Sequence, residues 1–257
     1  MSVKTPHLTL ALAAALSLAA CSGQKDQSAP AATADKASVS DALSPAAIQK
    51  AAEAAKAATL PQPDANTPDA SYVKITSGNQ LMFLYAAYSG LPPDFASMAN
   101  AYSREYRGTN DSFRKHDLLV AIQPKLEAEI ANAKAHPYVI WDTDSPNLNH
   151  YDFDRKGFVS DSGYLDEGGY GYFYDNSDYK LGFSNGSDFK FLSVTDDTLA
   201  RRVESLVGKY NSMSLRIFGF VQTTDGSNTN LVKALITKVQ VLDNKGNLLF
   251  EKKAGDK

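Results

Sequence analysis

Apolar positions pass from a helical period to a mainly strand period after residue 137, and that change predicts two structural halves. Between residues 78 and 90, Leu81, Met82, Leu84, Tyr85 and Tyr88 fall mostly at helical spacing, and Gly90-Leu91-Pro92-Pro93 ends the helix they predict. Asp94 opens a second helix to Tyr106, with Phe95, Met98, Tyr102 and Tyr106 on one stripe and Gly108 at its end. Asn110 or Asp111 caps a longer helix to about Ala135, where Leu119, Ile122, Leu126 and Ile130 recur every three or four residues. Pro124 inside that pattern predicts a kink or two abutting helices.

After His136-Pro137 the period shortens to that of strands. Strands are expected at Tyr138–Trp141, Asp152–Asp161, Tyr164–Asp175, Lys180–Ser184 and Phe189–Val194, separated by Asn, Asp, Gly and Ser clusters. Thr195 then caps a helix with Asp196 and Asp197 in its first turn, Leu199, Val203, Leu206 and Val207 on its apolar face, and Gly208 closing it. A three-strand meander follows: Met213, Leu215, Ile217 and Val221 on the first strand, Leu235, Val239 and Val241 on the second, Leu248 and Phe250 on the third. Asp225-Gly226 lies in its first loop, and Asp243-Asn244-Lys245-Gly246 suits a type I turn with a left-handed glycine. Helices first and strands later predict an α+β fold, with N-terminal helices packed on a mainly antiparallel sheet or partial barrel. The expected globular domain covers residues 71–253, helical over 71–136 and mainly stranded over 137–253, with a helix at 195–207.

Residues 21–70 have another character. Ala, Ser, Pro, Gln and Asp dominate, and no aromatic precedes Tyr72. Such a stretch cannot bury enough apolar surface to offset the entropy of ordering, and reads as a disordered tether reaching about 40 Å. An Ala-rich patch after Ser44-Pro45 and before Pro61 has helix signals. Ahead of it, Leu8–Ala20 is an apolar and small-residue run broken only by Thr9 and Ser17 and preceded by Lys4. Its length suits a signal-peptide core over residues 1–20 and is short of the roughly 20 residues a spanning helix needs.

That run ends in Leu18-Ala19-Ala20-Cys21, which resembles the lipobox of bacterial lipoprotein precursors. The resemblance implies cleavage before Cys21, a thioether-linked lipid on its sulfur and acylation of the new N-terminus. Ser22 in the next position implies transfer to the outer membrane, on its periplasmic side or at the surface. Cys21 is the single cysteine of the 257 residues, which excludes an intramolecular disulfide; lipidation gives it a use. The layout of signal, tether, helices and sheet is similar to that of proteobacterial lipoproteins of unknown function, a likeness that transfers no site residues.

Charge narrows the partners. The chain carries 26 basic and 29 acidic residues, a net charge of −3, and −4 once Lys4 leaves with the signal. There is no basic field for nucleic acid and no polybasic stretch for anionic lipid. Membrane attachment is therefore expected through acyl chains, of which two or more anchor stably.

Three constellations suggest chemistry. Tyr138-Val-Ile-Trp141-Asp142-Thr143-Asp144 resembles the first motif of haloacid-dehalogenase-type phosphohydrolases, whose first Asp is the nucleophile. Ser145-Pro146 departs from the motif, and the order of elements does not suit a doubly wound sheet; a strand running into an Asx/Pro turn explains the same residues. Acidic residues also gather over 142–178, with Asp142, Asp144, Asp152 and Asp154 as candidate Ca²⁺ ligands. Asp152-Phe-Asp154-Arg-Lys-Gly157 imitates the start of an EF-hand loop, yet residue 163, where the bidentate Glu belongs, is Gly. Finally, Tyr170, Tyr172 and Tyr174 alternate with Gly171 and Phe173, so a core-facing Phe173 turns three tyrosines outward, as a surface for a protein or a glycan or as cross-strand packing. His116, His136 and His150 have no metal-ligand spacing, and no Gly-x-Ser-x-Gly, phosphate loop or His-Glu-x-x-His occurs.

The expectation is a lipid-anchored envelope protein with a non-catalytic protein- or glycan-binding domain and no cofactor. A hydrolase or Ca²⁺-binding domain using loops 142–178, or a purely structural envelope component, are the alternatives. A concave pocket joining two or more of those carboxylates, one with a shifted pKa, favours hydrolysis; a flat, exposed tyrosine strip favours binding. Cys21→Ala should leave a folded domain that no longer sediments with membranes. Recovery of that variant in the membrane fraction would overturn the lipid-anchor expectation.

Overall fold

The structure is a computed structural model that describes Ser44, Ile48, Ala51, Ala52, Ala55 and residues 58–256 other than 210, 211 and 228. The expected signal, Cys21 and most of the expected tether lie outside the described residues. In the Ala-rich patch, Ile48, Ala51, Ala52, Ala55 and Ala58 are helical, and the Ser44 carbonyl accepts from the Ile48 N–H at 3.0 Å.

In chain order the domain comprises β1 (Val73–Lys74), α1 (Gly78–Tyr88), α2 (Phe95–Tyr102), α3 (Arg104–Gly108), α4 (Ser112–Ala135), β2 (Tyr138–Thr143), β3 (Gly157–Val159), β4 (Tyr170–Tyr172), β5 (Tyr179–Phe183) and β6 (Phe191–Ser193). It ends with α5 (Asp197–Glu204), β7 (Met213–Asp225), β8 (Asn230–Asp243) and β9 (Leu248–Lys253). The fold is α+β: helices pack on a mainly antiparallel sheet of seven strands in the order β1-β2-β7-β8-β5-β4, with β9 also on β8. The sheet is open, with β1 and β4 at its ends, and β3 and β6 form a separate antiparallel pair.

Helix starts follow side-chain caps. Ser77 and Gln80 form a capping box on α1. Asp94, Ser103 and Asp111 each accept a backbone N–H from the first turn of α2, α3 and α4. The single helix expected over Asp94–Tyr106 is therefore two, because Ser103 turns extended and caps the second. The expected break at Pro124 is absent, and α4 runs through it. The carbonyl that Pro124 cannot serve belongs to Val120, a residue 59% exposed, where water can take the bond.

Helix α1 is apolar nearly all round because it is buried on two sides. Leu81 and Leu84 enter the core against the sheet, while Met82 and Phe83 join Met98, Ala99, Tyr106 and Leu126 in a second core beneath α4. The central hairpin supplies most of the first core: Leu215, Ile217 and Val221 from β7, and Val232, Ala234, Ile236, Val239 and Val241 from β8.

One edge of β8 pairs with β7 along nearly its whole length. The other is shared: β5 runs parallel beside Asn230–Ala234, and β9 runs antiparallel beside Lys238–Leu242. Between them Ile236 faces no strand on that edge. Asn185 fills the gap, its amide donating to the Ile236 carbonyl (3.0 Å) and its oxygen accepting the Ile236 N–H (2.7 Å). The Ser184 and Ala254 N–H groups bond the Ala234 and Thr237 carbonyls on either side.

The opposite face of the sheet is covered by residues assigned from sequence to the tether. Gln222 donates to the Pro61 carbonyl (2.9 Å), and the Asp64 N–H to the Tyr138 hydroxyl (2.8 Å). Asp69 pairs with Lys238. Tyr72 packs edge-on against Tyr138 and Phe218, both at 5.1 Å. These aromatics need a cover, and residues 61–72 provide it, ten residues of which lie within the stretch read from sequence as tether.

Other differences lie in the loops. Strands expected over Asp152–Asp161 and Tyr164–Asp175 shrink to β3 and β4, because the Asp- and Gly-rich flanks close turns instead. Asp196, not Thr195, caps α5, accepting the Leu199 N–H at 2.7 Å. A register shift between Val241 and Leu242 places Leu249 in the core and leaves Leu248 49% exposed. Asn185→Ala should lower stability by about 2–3 kcal/mol, because it orphans both backbone groups of a fully buried residue. In urea melts the midpoint should fall with an unchanged slope.

Candidate functional site

The tyrosine edge is built on a close approach. A Cβ on Gly171 would lie 2.3 Å from Trp141 Cζ2 and 2.8 Å from Tyr164 Cε1, so only glycine lets β4 lie on the indole. Trp141 is buried and packs against Phe173 (4.8 Å between ring centroids) and Tyr164 (5.9 Å). Its Nε1–H has no hydrogen-bond acceptor among the described residues. Gly171 and Phe173 thus face inward, and Tyr170, Tyr172 and Tyr174 are 47%, 43% and 94% exposed.

The loop after β4 is clamped to the start of α1. Asp175 accepts the Gly78 N–H at 2.9 Å, where the helix dipole favours a carboxylate. The Asn176 amide donates to Asn79 at 3.1 Å. Gly78 is needed here too, since a Cβ would lie 2.4 Å from the Asn176 carbonyl oxygen. Two aromatic details complete the edge. Tyr172 and Tyr174 meet at 5.6 Å with their planes at 79°, and Lys180 Nζ lies 4.4 Å from the Tyr170 ring centroid.

A cleft of about 1030 Å³ lies beside the end of β2, with Asp142, Asp144, Lys209, Met213, Arg216 and Asp243 in its lining. Asp142 and Arg216 are direct cross-strand partners in the β2–β7 register. Arg216 grips the carboxylate bidentately (2.8 and 3.0 Å), and Lys74 adds a third contact at 2.8 Å. Burial alone would raise the Asp142 pKa, but Arg216 and Lys74 outweigh it and hold it below the usual carboxylate value. A carboxylate so held is poorly matched to nucleophilic or acid–base work near neutrality. Asp144 is exposed at the cleft rim.

The candidate cation ligands are not brought together into a shell. Asp142 is occupied by two cations. Asp152 Oδ1 accepts the N–H groups of Asp154 (3.0 Å) and Arg155 (2.9 Å) within its own turn, and Asp154 is exposed. These contacts do not fit the six to eight converging oxygens of a Ca²⁺ site. Among the described residues, no group of three or more His, Cys, Asp or Glu side chains is placed to hold a metal ion.

Sequence reasoning grouped Tyr164 with the tyrosines but missed Trp141 and Arg216 as parts of these features. Alternation gives the face of Arg216, since apolar Leu215 and Ile217 turn residue 216 away from the core, but not its pairing with Asp142. His150 also has an assignment, its Nδ1 2.6 Å from Glu204, whose carboxyl is lowered first by that bond and which also accepts the Tyr151 N–H. This pins the 148–151 loop to α5.

The chain matches no family model, no curated protein and no solved structure.

Because the folded pKa of Asp142 is lowered, its ion pairs stabilise the fold above the unfolded carboxyl value of about 4. That contribution fades as pH falls through the lower folded value. Arg216→Leu should therefore cost about 1–2 kcal/mol at pH 7, with the gap to wild type narrowing below pH 4. Urea melts from pH 7 to pH 3 check both the size and the sign.

Proposed function

We propose that this protein is a lipid-anchored lipoprotein of the bacterial envelope whose globular domain is a non-catalytic binding module, with the tyrosine edge as its contact surface. One observation carries the reading. Two tyrosines on an edge strand and a third in the turn after it stand exposed, and the inward positions between them are locked against Trp141. Tyrosines on a rigid support offer large contact area at low entropic cost, as binding surfaces require. The lipid on Cys21 and the tether behind it would present that edge in the periplasm or at the cell surface.

The cleft gives a hydrolase its foothold, since it gathers Asp142 and Asp144 in one concavity. The reading ranks second because the lowered pKa of Asp142 comes from its being spent on Arg216 and Lys74. Its neighbour Asp144 lies in the open.

Crosslinking in intact envelopes tests the proposal. Changing Tyr170, Tyr172 and Tyr174 together to Ala should remove the specific crosslinks. Stability should change by no more than about 1 kcal/mol, as expected for exposed positions. An unchanged crosslink pattern in the folded triple variant would overturn the tyrosine edge as the contact surface.

A further inference from the structure

The outer face of α4 is apolar along a line where a solvent-facing helix is ordinarily polar. Phe113 is 86% exposed, the most exposed phenylalanine among the described residues, and Val120 is 59% exposed. Pro124 and Ala131 are exposed as well. At 3.6 residues per turn these four positions fall within about 20° of one line along the helix. Ala131 follows Phe113 by five turns, about 27 Å.

Where that line reaches Ala131 the surface is hollow. A groove of about 340 Å³ lies there, with Ala86 of α1, Phe95 of α2 and Ile130 and Ala131 of α4 among its apolar members, and Glu127 and Lys134 as its charged ones. An aromatic knob and an apolar hollow thus share one face of one helix. Five turns apart, they cannot meet within one chain.

A two-fold axis across α4 brings them together. In an antiparallel pair of α4 helices, residues equally far before and after the axis face one another between copies. Phe113 and Ala131 are centred on residue 122, and so are Val120 and Pro124. The charges follow the same centre to within half a residue: His116 opposes Glu127 on one flank of the line, and Asp111 opposes Lys134 at the helix ends. Asp117 lies on the other flank from Glu127 and opposes Ala128. Among the described residues His116 has no hydrogen bond or ion pair within its own chain. Antiparallel packing also sets the two helix dipoles head to tail.

The size of the strip sets the strength. It is about 36 Å long and roughly 10 Å wide, about half of the ~800 Å² per partner in a standard interface. The Val120 carbonyl that Pro124 cannot serve lies near the axis, so water stays in the contact. Such a pair is weak in solution. Two chains anchored in one membrane meet at a far higher effective concentration, which populates a weak contact.

We propose that α4 is a self-association face: two copies pair antiparallel about an axis level with residue 122, each Phe113 entering the groove of the other. The proposal does not use the tyrosine edge.

The test uses the mature lipoprotein in phosphatidylcholine vesicles and a short bismaleimide. Wild type, whose one thiol at Cys21 carries the lipid, is the blank, and Lys245→Cys on the exposed β8–β9 turn reports chance encounters. Val120→Cys, near the axis, should give covalent dimer at least about 10-fold above that background. Ala131→Cys should stay at background, because its two copies lie about 27 Å apart. Adding Phe113→Asp to Val120→Cys should cut the dimer about 10-fold with an unchanged melting temperature, since the side chain is exposed in the monomer. Adding His116→Glu should cut it about 3-fold, and Glu127→Lys on top should restore it.

A Val120→Cys yield no higher than that of Lys245→Cys would overturn the proposal. So would a dimer indifferent to Phe113→Asp. Equal crosslinking of Ala131→Cys would overturn the antiparallel register. In whole envelopes, Val120→Cys crosslinking to a different protein and never to its own copy would overturn self-association and give the face to that protein.

Discussion

The architecture depends on how one strand edge is shared. Strand β8 is longer than any single partner on its outer side, and its buried backbone groups need partners along the whole edge. Two strands of opposite sense divide the edge, and a side-chain amide closes the interval where neither reaches. An asparagine suits this interval because its amide carries one donor and one acceptor, matching a peptide unit. Once β5 is seated in this way, β4 is carried to the outer limit of the sheet, and the tyrosines go with it. The placement of the contact surface therefore follows from backbone bonding several strands away.

The second step is steric. The hairpin of β4 and β5 settles onto Trp141 only because residue 171 has no side chain. The loop that follows settles onto α1 only because residue 78 has none, with Asp175 drawn to the free N–H of the helix start. Two glycines and one carboxylate thus hold a short edge strand at its middle and at the loop that follows it. Rigidity at exposed aromatics matters for binding, because rings already held in place lose little entropy when a partner arrives.

The sequence announced the helices better than the sheet, for reasons of range. Ser77, Asp94 and Asp111 act on N–H groups three residues away, and glycine and proline punctuate locally, so periodicity and caps locate α1, α2 and α4. Ser103 escaped because the stripe from Phe95 to Tyr106 runs across the break without losing phase. In the sheet, the parallel placement of β5 on β8 and the pairing of Asp142 with Arg216 join residues tens of positions apart, which no local pattern encodes. Leu248 and Leu249 exchanged roles through a single register shift, which reverses every side chain beyond it. The outward tyrosines were legible from the alternation with Gly171 and Phe173, while the perpendicular setting of Tyr172 and Tyr174 needed coordinates.

The two candidate surfaces differ in how much of their chemistry is already used. In the cleft, the carboxylate with the strongest environment is matched by a guanidinium and an ammonium, and its lowered pKa measures how well it is satisfied. A perturbed pKa marks function when the perturbing group leaves the residue poised, and marks architecture when it leaves the residue neutralised. At the edge the situation is reversed. Tyr172 and Tyr174 keep exposed ring surface over which no cation stands among the described residues, although Lys180 shows that a cation can cap such a ring at the neighbouring position. Unused attraction on a rigid support is what a partner can exploit, and it lies on the tyrosines.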